Sequence, residues 1–492
     1  MYPLRSIITT ISSHITPTST IQSIDMTSLT VERIQLTNVW ADDSIACKAI
    51  KRNQTLHENV AIASLQLPVQ LQDHHSGIQP VVYLGLDDAR GIMAAHQPLS
   101  KSEWPTGYTP PAALPGHLTT FNATISSNER PERIVAATKY LINTKIIADH
   151  CDLDTLAGRG RPATESELLR VHDQEHVDKM LSCLQCSPCH LLDVATSYNT
   201  IFMNEHSVQA ALHAAGLTIE ATRAVLVSDK VSEEEVSEEA ETTARAASAV
   251  CVVRPPGHHS ELGCAMGFGL FNTVAIAAAD ALANGAARVL VVDWDIHHGN
   301  GTQEIFQNDK RVLYVSAHAL YSFPAFIQRD GQLAMQSPTF VGGKDAQGFS
   351  VNCGWQEQGH GDAEYLHMMD HLIMPIAREF NPDLVLVSAG FDSAAGDEEG
   401  YQVTPTGYAQ MIRRLRELAH GKIVVVLEGG YNIPAVCMGL HAVVGELLGV
   451  AVLPGDEGSE KEKSGPGEVN ASAMADIRAT ISAQRPFWTC FQ

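Results

Sequence analysis

Arg288-Val-Leu-Val-Val-Asp-Trp-Asp-Ile-His-His-Gly-Asn-Gly301 decides the fold class of this chain. Val289 to Val292 form a continuous apolar run, the pattern of a strand buried on both faces of a parallel sheet. The run then gives way to Asp293, Asp295, His297 and His298, closed by Gly299-Asn-Gly301. If the backbone stays extended, Asp293, Asp295 and His297 stand at i, i+2 and i+4 and point to one side. Two carboxylates and an imidazole there make a ligand set suited to Zn²⁺. The carboxyl edge of a parallel sheet is also where open α/β folds carry their chemistry. An Asp-rich loop after a strand is otherwise only a solvated turn, but the paired histidines and bracketing glycines favour a ligand set.

Outward from this stretch, apolar runs alternate with helical patterns. Strands are predicted at 81–86, 249–253, 312–316, 384–388 and 423–427. Helices are predicted from Asn128 through Lys145, from Thr164, and over 207–227, 275–282, 363–380, 406–419 and 434–448. Strands alternating with helices imply a three-layer α/β/α domain around a central, mostly parallel sheet. Residues 1–75 read as a poorly ordered extension, 76–452 as the domain, and 453–492 as a polar linker with a closing helix. A short helical pattern to His96, a Pro/Gly-rich loop over 97–120 and an acidic run from Asp229 to Glu241 complete the pass.

The formal charge of −23 argues against a nucleic-acid surface and is compatible with a cationic partner. No apolar run reaches the length needed to cross a bilayer, so no membrane partner is expected. Ten cysteines without regular spacing point to a reducing compartment rather than a disulfide framework. With Arg5 the only Lys or Arg before Asp25, the amino terminus is a poor transit peptide. Cys183, Cys186 and Cys189, next to His190, have thiols that could hold a second metal, although no second pair stands at finger spacing.

Four further segments end in polar residues, as an active edge should. Arg254-Pro-Pro-Gly-His258-His259 offers metal ligands or a general-base couple. Ser388-Ala-Gly-Phe-Asp392 adds a carboxylate, and Glu428-Gly-Gly-Tyr431 presents a phenol from a tight turn. His318-Ala-Leu-Tyr-Ser-Phe323-Pro324 brings an aromatic ring to the edge. A lone Tyr or Asp is more often structural; a set on successive strand ends is not.

Together with Val292-Asp-Trp-Asp-Ile-His-His-Gly-Asn-Gly301 and Leu427-Glu-Gly-Gly-Tyr-Asn432, these segments resemble the signature set of the histone deacetylase family. The Trp in Asp-Trp-Asp and Asn300 make the chain similar to its class II branch, with likeness from about Val81 to Leu448 and again at Pro486-Phe-Trp488. The resemblance implies the arginase/deacetylase fold and hydrolysis of acetyl-lysine amides around one catalytic Zn²⁺. By position, Asp295, His297 and Asp392 would be the zinc ligands. His259 would be general base and then acid, and His258, paired with Asp293, would stay charged and stabilise the tetrahedral intermediate. Asn300 would hold the His259 imidazole, and Tyr431 would donate to the oxyanion. Phe268 and Phe323 would flank an acyl-lysine tunnel, with Gly267 and Thr200 also lining the substrate site. Ser316, the Asp293/Asp295 loop and the segment around Phe306 match structural K⁺ sites. Acetylated histone tails or other acetyl-lysine proteins, a corepressor-type complex, and a nuclear or cytoplasmic location are the corresponding expectations.

The chain departs from the family in places. Ser127-Asn128 replace the usual His-Pro before Glu129, and Phe323-Pro-Ala-Phe alters the usual Phe-Phe-Pro-Gly of the rim. Glu399 stands where most class II members carry Leu; a polyamine deacetylase of the branch carries Glu there, although its Pro-Glu-Ala-Cys constriction is not visible. A carboxylate at a tunnel mouth favours a substrate with a distal ammonium. Two other readings share the fold. A binuclear-manganese ureohydrolase would need a second Asp two residues beyond Asp392, where Ala394 stands. A catalytically dead acetyl-lysine reader would not need the full ligand and histidine set.

Overall fold

The computed structural model of the chain describes residues 81–83, 128–147, 160–227, 248–325, 332–450 and 467–492. The expectations for residues 1–75, for the helix to His96 and the loop that follows, for the acidic run and for most of the polar linker lie outside the described residues.

Seven strands form one sheet: β1 (Val81–Tyr83), β2 (Ser248–Cys251), β3 (Val289–Asp293), β4 (Val312–Ala319), β5 (Ser350–Trp355), β6 (Leu384–Ala389) and β7 (Ile423–Leu427). Their order is β1-β2-β7-β6-β3-β4-β5, and every neighbouring pair is parallel. The chain runs outward from β3 through β4 to β5, then returns to β6 and runs the other way to β7. The order therefore reverses between β3 and β6, and a crevice opens at such a switch point beyond the carboxyl ends. In register, Cys251, Val426, Ser388, Asp293, Ser316 and Asn352 form one row across the sheet. The polar segments singled out in the sequence all leave the sheet just past that row.

Strands β2 to β7 are buried throughout, as strands covered on both faces should be. Helices Ser207–Val227 and Thr273–Ala283 pack on each other and on β2, β7, β3 and β6. Glu132–Asn143, Pro405–Leu415 and Ile433–Leu448 pack together as a second group. Ser207–Val227 corrects the reading that no segment could cross a bilayer. At 21 residues it is long and apolar enough, but most of it is buried inside the fold. Its charged Glu220 and Arg223 are paired with each other, and Arg223 also meets Glu167 and Asp280.

β5 was not expected from the sequence. Ser-Val-Asn-Cys-Gly-Trp lacks a continuous apolar run because the strand is at the sheet edge, where helix Ala471–Gln484 covers it. Gln484 Nε2 donates to the Ser350 carbonyl (2.7 Å) and Thr480 Oγ1 to that of Asn352 (3.0 Å), satisfying acceptors that an edge strand leaves open. The helix predicted over 363–380 is interrupted by a π turn, Met369–Ile373. Pro375 lies two residues past it; a proline ring clashes with the carbonyl four residues earlier, here that of His371 within the turn, and the wider turn accommodates it.

Candidate active site

The chain does not stay extended past Asp293. The strand ends there, and two carboxylates turn back on the backbone: Asp293 Oδ1 accepts from Asp295 N (3.2 Å) and Asp295 Oδ1 from His297 N (2.9 Å). Such side-chain turns compete with the strand ladder. The one-sided reading of Asp293, Asp295 and His297 is therefore replaced by two separate groupings.

Asp295 and His297 meet Asp392, which follows β6, and one ligand atom from each lies within 4.8 Å of the others. His297 Nδ1 is 3.1 Å from both Asp295 Oδ1 and Asp392 Oδ2. Asp392 Oδ1 accepts from Ile296 N (2.9 Å) and Asp295 Oδ2 from Gly429 N (2.8 Å), so each carboxylate is fixed by the neighbouring strand end. The glycines at this point are needed: a Cβ on Gly429 would stand 2.3 Å from Asp392 Oδ2, and one on Gly390 would stand 2.1 Å from Asp295 Oδ2. Two buried carboxylates converging on one imidazole nitrogen form a cradle for a divalent cation, and the mixed O/N donor set fits zinc.

Asp293 belongs to the second grouping. Its Oδ2 faces His258 Nδ1 at 3.0 Å and accepts from Tyr314 Oη at 3.0 Å. Burial opposes a charge on His258, but the Asp293 and Asp295 carboxylates overcome it and push its pKa up to about 10. His259, whose ring centroid is 4.0 Å from that of His258, is driven the other way. Burial, then the charges of His258 and His297, hold it well below the usual imidazole range. One imidazolium thus stands beside one neutral imidazole. His259 Nδ1 lies 2.8 Å from Asn300 Oδ1, and Asn300 Nδ2 donates to Glu261 Oε1 at 2.8 Å.

Tyr431 sits between β7 and helix Ile433–Leu448, which Asn432 caps by accepting from Ala435 N. Asp397 Oδ2 accepts from the backbone N–H groups of both Tyr431 and Asn432 at 2.7 Å. Burial raises the Tyr431 hydroxyl well above its usual pKa, so it is a proton donor at neutral pH. The ring stands 6.2 Å from Phe268. Phe323 packs edge-on to His259 at 4.8 Å and lies 6.3 Å from His297. Phe268 and Phe323 are thus both beside the cluster.

Gly267 is buried with a φ of +55°, and a Cβ there would be 2.3 Å from His259 Cδ2. Thr200 supports the same turn: its Oγ1 accepts from Gly267 N (3.1 Å) and its carbonyl from Phe268 N (3.0 Å). Glu399 reaches the rim, 3.5 Å from His297 Nε2 and 3.5 Å from Ser322 Oγ. Asn128 donates to the adjacent Glu398 at 2.9 Å. Ser316 Oγ pairs with His318 Nδ1 at 2.8 Å, and Phe306 is buried at the end of helix Asn300–Phe306. The Cys183 and Cys186 thiols donate to the Lys179 and Ser182 carbonyls, and among the described residues the cysteines form no metal-holding group.

Several contributors escaped the sequence reading: Glu261, Tyr314, Asp397, and a buried Glu129 between Arg133 and Arg254. Arg254 Nε donates to Glu129 Oε1 (2.8 Å) and Arg133 Nη1 to the same oxygen (3.1 Å). The available signal was composition: two arginines beside a glutamate in segments destined for burial. Glu428 Oε2 accepts from Gly257 N (2.7 Å) and His258 N (3.2 Å), tying the paired histidines to the end of β7.

An all-parallel α/β sheet with a carboxylate–imidazole metal cradle and a histidine couple at its switch point defines a metal-dependent hydrolase type of site. The histone deacetylase domain family matches residues 127–447, and the chain belongs to that family. Histone deacetylase 15 of Arabidopsis thaliana is 36% identical over 363 residues, covering 73% of this chain and 58% of that protein. Histone deacetylase HDA1 of Saccharomyces cerevisiae is 37% identical, covering 74% and 49%. Human polyamine deacetylase HDAC10 is 36% identical, covering 74% and 50%. The chain thus spans about half the length of the curated relatives it matches. The crystal structure of the HDA15 HD domain superposes with a TM-score of 0.65 at 31% identity, covering 84% of this chain and 98% of that one. The fold is the arginase/deacetylase fold expected from the sequence.

Proposed function

We propose that the chain is a zinc-dependent lysine deacetylase that hydrolyses the acetyl-lysine amide to lysine and acetate. The observation that carries the reading is the convergence of Asp295, His297 and Asp392 beside one charged and one neutral imidazole. These three residues would hold the zinc and leave positions open, as a catalytic site requires. Zinc supplies Lewis acidity toward the acyl oxygen and lowers the pKa of water.

The rest of the chemistry belongs to the side chains. His259 has Nδ1 occupied by Asn300, so Nε2 takes the proton of the attacking water and passes it to the leaving amine. His258, kept charged by Asp293, stabilises the negative charge that develops on the tetrahedral carbon's oxygen. Tyr431 donates its hydroxyl to the same oxyanion. Phe268 and Phe323 present ring faces to the lysine methylenes, with Gly267 and Thr200 shaping the wall between them. The Asp293/Asp295 loop with Ser316, and the Phe306 segment, would hold structural K⁺. Acetylated histone tails or other acetyl-lysine proteins are the substrates of this reading, met in the nucleus or cytoplasm and within a corepressor-type complex.

Glu399 favours a second reading, deacetylation of acetylpolyamines. Its carboxylate is half-buried at the rim beside His297 and Ser322, where a distal ammonium could pair with it. Side-by-side turnover of acetyl-histone peptide and acetylspermidine decides between the two. Preference for the peptide supports the first reading; preference for acetylspermidine that Glu399→Leu reverses supports the second. Turnover of neither by zinc-loaded protein would refute both.

A further inference from the structure

We propose that Glu261 is a positioning residue for His259, acting through Asn300, and that this relay sets which nitrogen of the base carries its proton. The proposal rests on His259 being the base. The three side chains are nearly closed off from water, with relative exposures of 8% for Glu261, 4% for Asn300 and 5% for His259. His259 Nδ1 lies 2.8 Å from Asn300 Oδ1, and Asn300 Nδ2 is 2.8 Å from Glu261 Oε1 and 3.4 Å from Met266 Sδ.

An amide can present either its oxygen or its NH₂ to a neighbour, and by itself Asn300 has no reason to choose. An ionised carboxylate is acceptor-only, so Glu261 takes the NH₂ and turns the oxygen toward His259. An oxygen there accepts only from an Nδ1–H. The Nε2 lone pair is then left facing the site, which is what a base needs. With the amide reversed, NH₂ would meet Nδ1, the proton would move to Nε2, and the base would be lost. His258 needs no such device, because its partner Asp293 is a carboxylate whose oxygens both accept.

The position of Glu261 is itself fixed. Its N–H donates to the Cys264 carbonyl (2.9 Å), and its carbonyl oxygen lies 3.0 Å from His172 Nδ1. The carboxylate is therefore held facing Asn300 from a braced loop, on the side of the amide away from His259.

The test uses the zinc-loaded full chain labelled with ¹⁵N-histidine, the His259 signals being assigned by their loss in His259→Phe. The wild type should show Nδ1 protonated and Nε2 unprotonated. Glu261→Ala should bring in the Nε2–H form and lower kcat about tenfold to a hundredfold, a part of the 10²–10⁴ that a positioned base contributes, with KM nearly unchanged. Asn300→Asp alone sets two carboxylates against each other and should be as damaging. Glu261→Gln with Asn300→Asp restores one donor and one acceptor in the right order, so the double variant should exceed both single variants in kcat.

A His259 that keeps Nδ1–H in Glu261→Ala overturns the relay whatever the turnover. So does a double variant whose loss is the product of the losses in Glu261→Gln alone and Asn300→Asp alone, the result expected if Glu261 merely supports the loop. Full turnover by His259→Ala would instead remove the base assignment, and the tautomer signals would still decide the relay.

Discussion

Arg133→Lys is the substitution that most directly tests how the strand end carrying Tyr431 is held. Arg133 is fully buried, and its fork spans two carbonyls: Nε donates to Gly430 (2.6 Å) and Nη2 to Glu428 (2.6 Å). A third arm meets Glu129, and the guanidinium lies 5.1 Å from the centroid of the Tyr431 ring. Between the two carbonyls stands Gly429, whose N–H holds Asp295. Lysine keeps the charge for Glu129 but cannot bridge both carbonyls. Losing one charged donor to a buried carbonyl costs about 1.5–3 kcal/mol. With an unfolding entropy of about 2 cal/mol/K per residue over roughly 300 described residues, that is a fall of about 2–5 °C in Tm.

The kinetic consequence follows from the same geometry. Tyr431→Phe removes an oxyanion donor outright and should lower kcat by about 10²–10³, with zinc content unchanged. Arg133→Lys leaves the hydroxyl present but less well placed, so kcat should fall by less, on the order of tenfold, with KM within a few-fold. Scanning calorimetry and steady-state deacetylation read the two effects. Wild-type melting and kcat in Arg133→Lys would show that the fork does not hold the loop. If adding Tyr431→Phe to Arg133→Lys costs its full factor again, the two residues act independently and the coupling argument fails.

Gly299→Ala should abolish turnover, because the new Cβ would stand 2.3 Å from Asp293 Oδ2 and 2.5 Å from Tyr314 Oη, where His258 is oriented; near-normal kcat would show that this contact relaxes freely. Metal analysis should find about one zinc per chain, with chelation stopping turnover and zinc restoring it; two manganese ions per chain would contradict the site. Acid should weaken the fold through His172, which burial and then the neighbouring His176 push down to about 3. Between pH 6.5 and 3 the unfolded chain binds the extra proton, so this contribution is complete above about 6.5 and shrinks as the pH falls, by about 3 kcal/mol at pH 4. Urea midpoints measured from pH 7 to 4 should show a shallower decline in His172→Gln than in wild type; identical slopes would exclude His172 as a source.

The central strands were legible because burial on both faces leaves a continuous apolar run, as in Val289–Asp293 and Ile423–Leu427. Where polar groups are buried and paired, that signal stops early. β4 continues three residues past its predicted end at Ser316 to Ala319, with His318 bonded to Ser316 and to the Gln336 carbonyl. Asp295 and His297 were readable as candidate ligands from residue type and spacing, whereas their grouping with Asp392 rather than Asp293 came only through the resemblance, since the strand geometry assumed for them is broken by two side-chain turns. Glu261, Tyr314 and Asp397 were not legible at all. Each acts through hydrogen bonds whose partners are 21 to 39 residues away, and only the folded arrangement of strands and loops brings them together. Tyr314 reaches Asp293 because β3 and β4 pair; neither residue type announces it.

The deployment of Asp293 also separates one-ion from two-ion chemistry on this fold. A second ion beside the first would need further carboxylates directed at it, to bridge or to ligate. Asp293 Oδ2 is instead directed at His258 and Tyr314, and its Oδ1 at the Asp295 N–H. Beyond Asp392 the equivalent position is Ala394, and the intervening Ser393 hydroxyl is paired with Tyr408. What remains among the described residues is one set of three that could hold a cation. Burial raises both carboxylates; His258 and His297 bring Asp295 down, and the charge on Asp295 then keeps Asp392 high. Two buried carboxylates sharing an imidazole cannot both be ionised cheaply without a positive charge between them. A single divalent ion would supply it, leaving the charge on His258 to be balanced by Asp293.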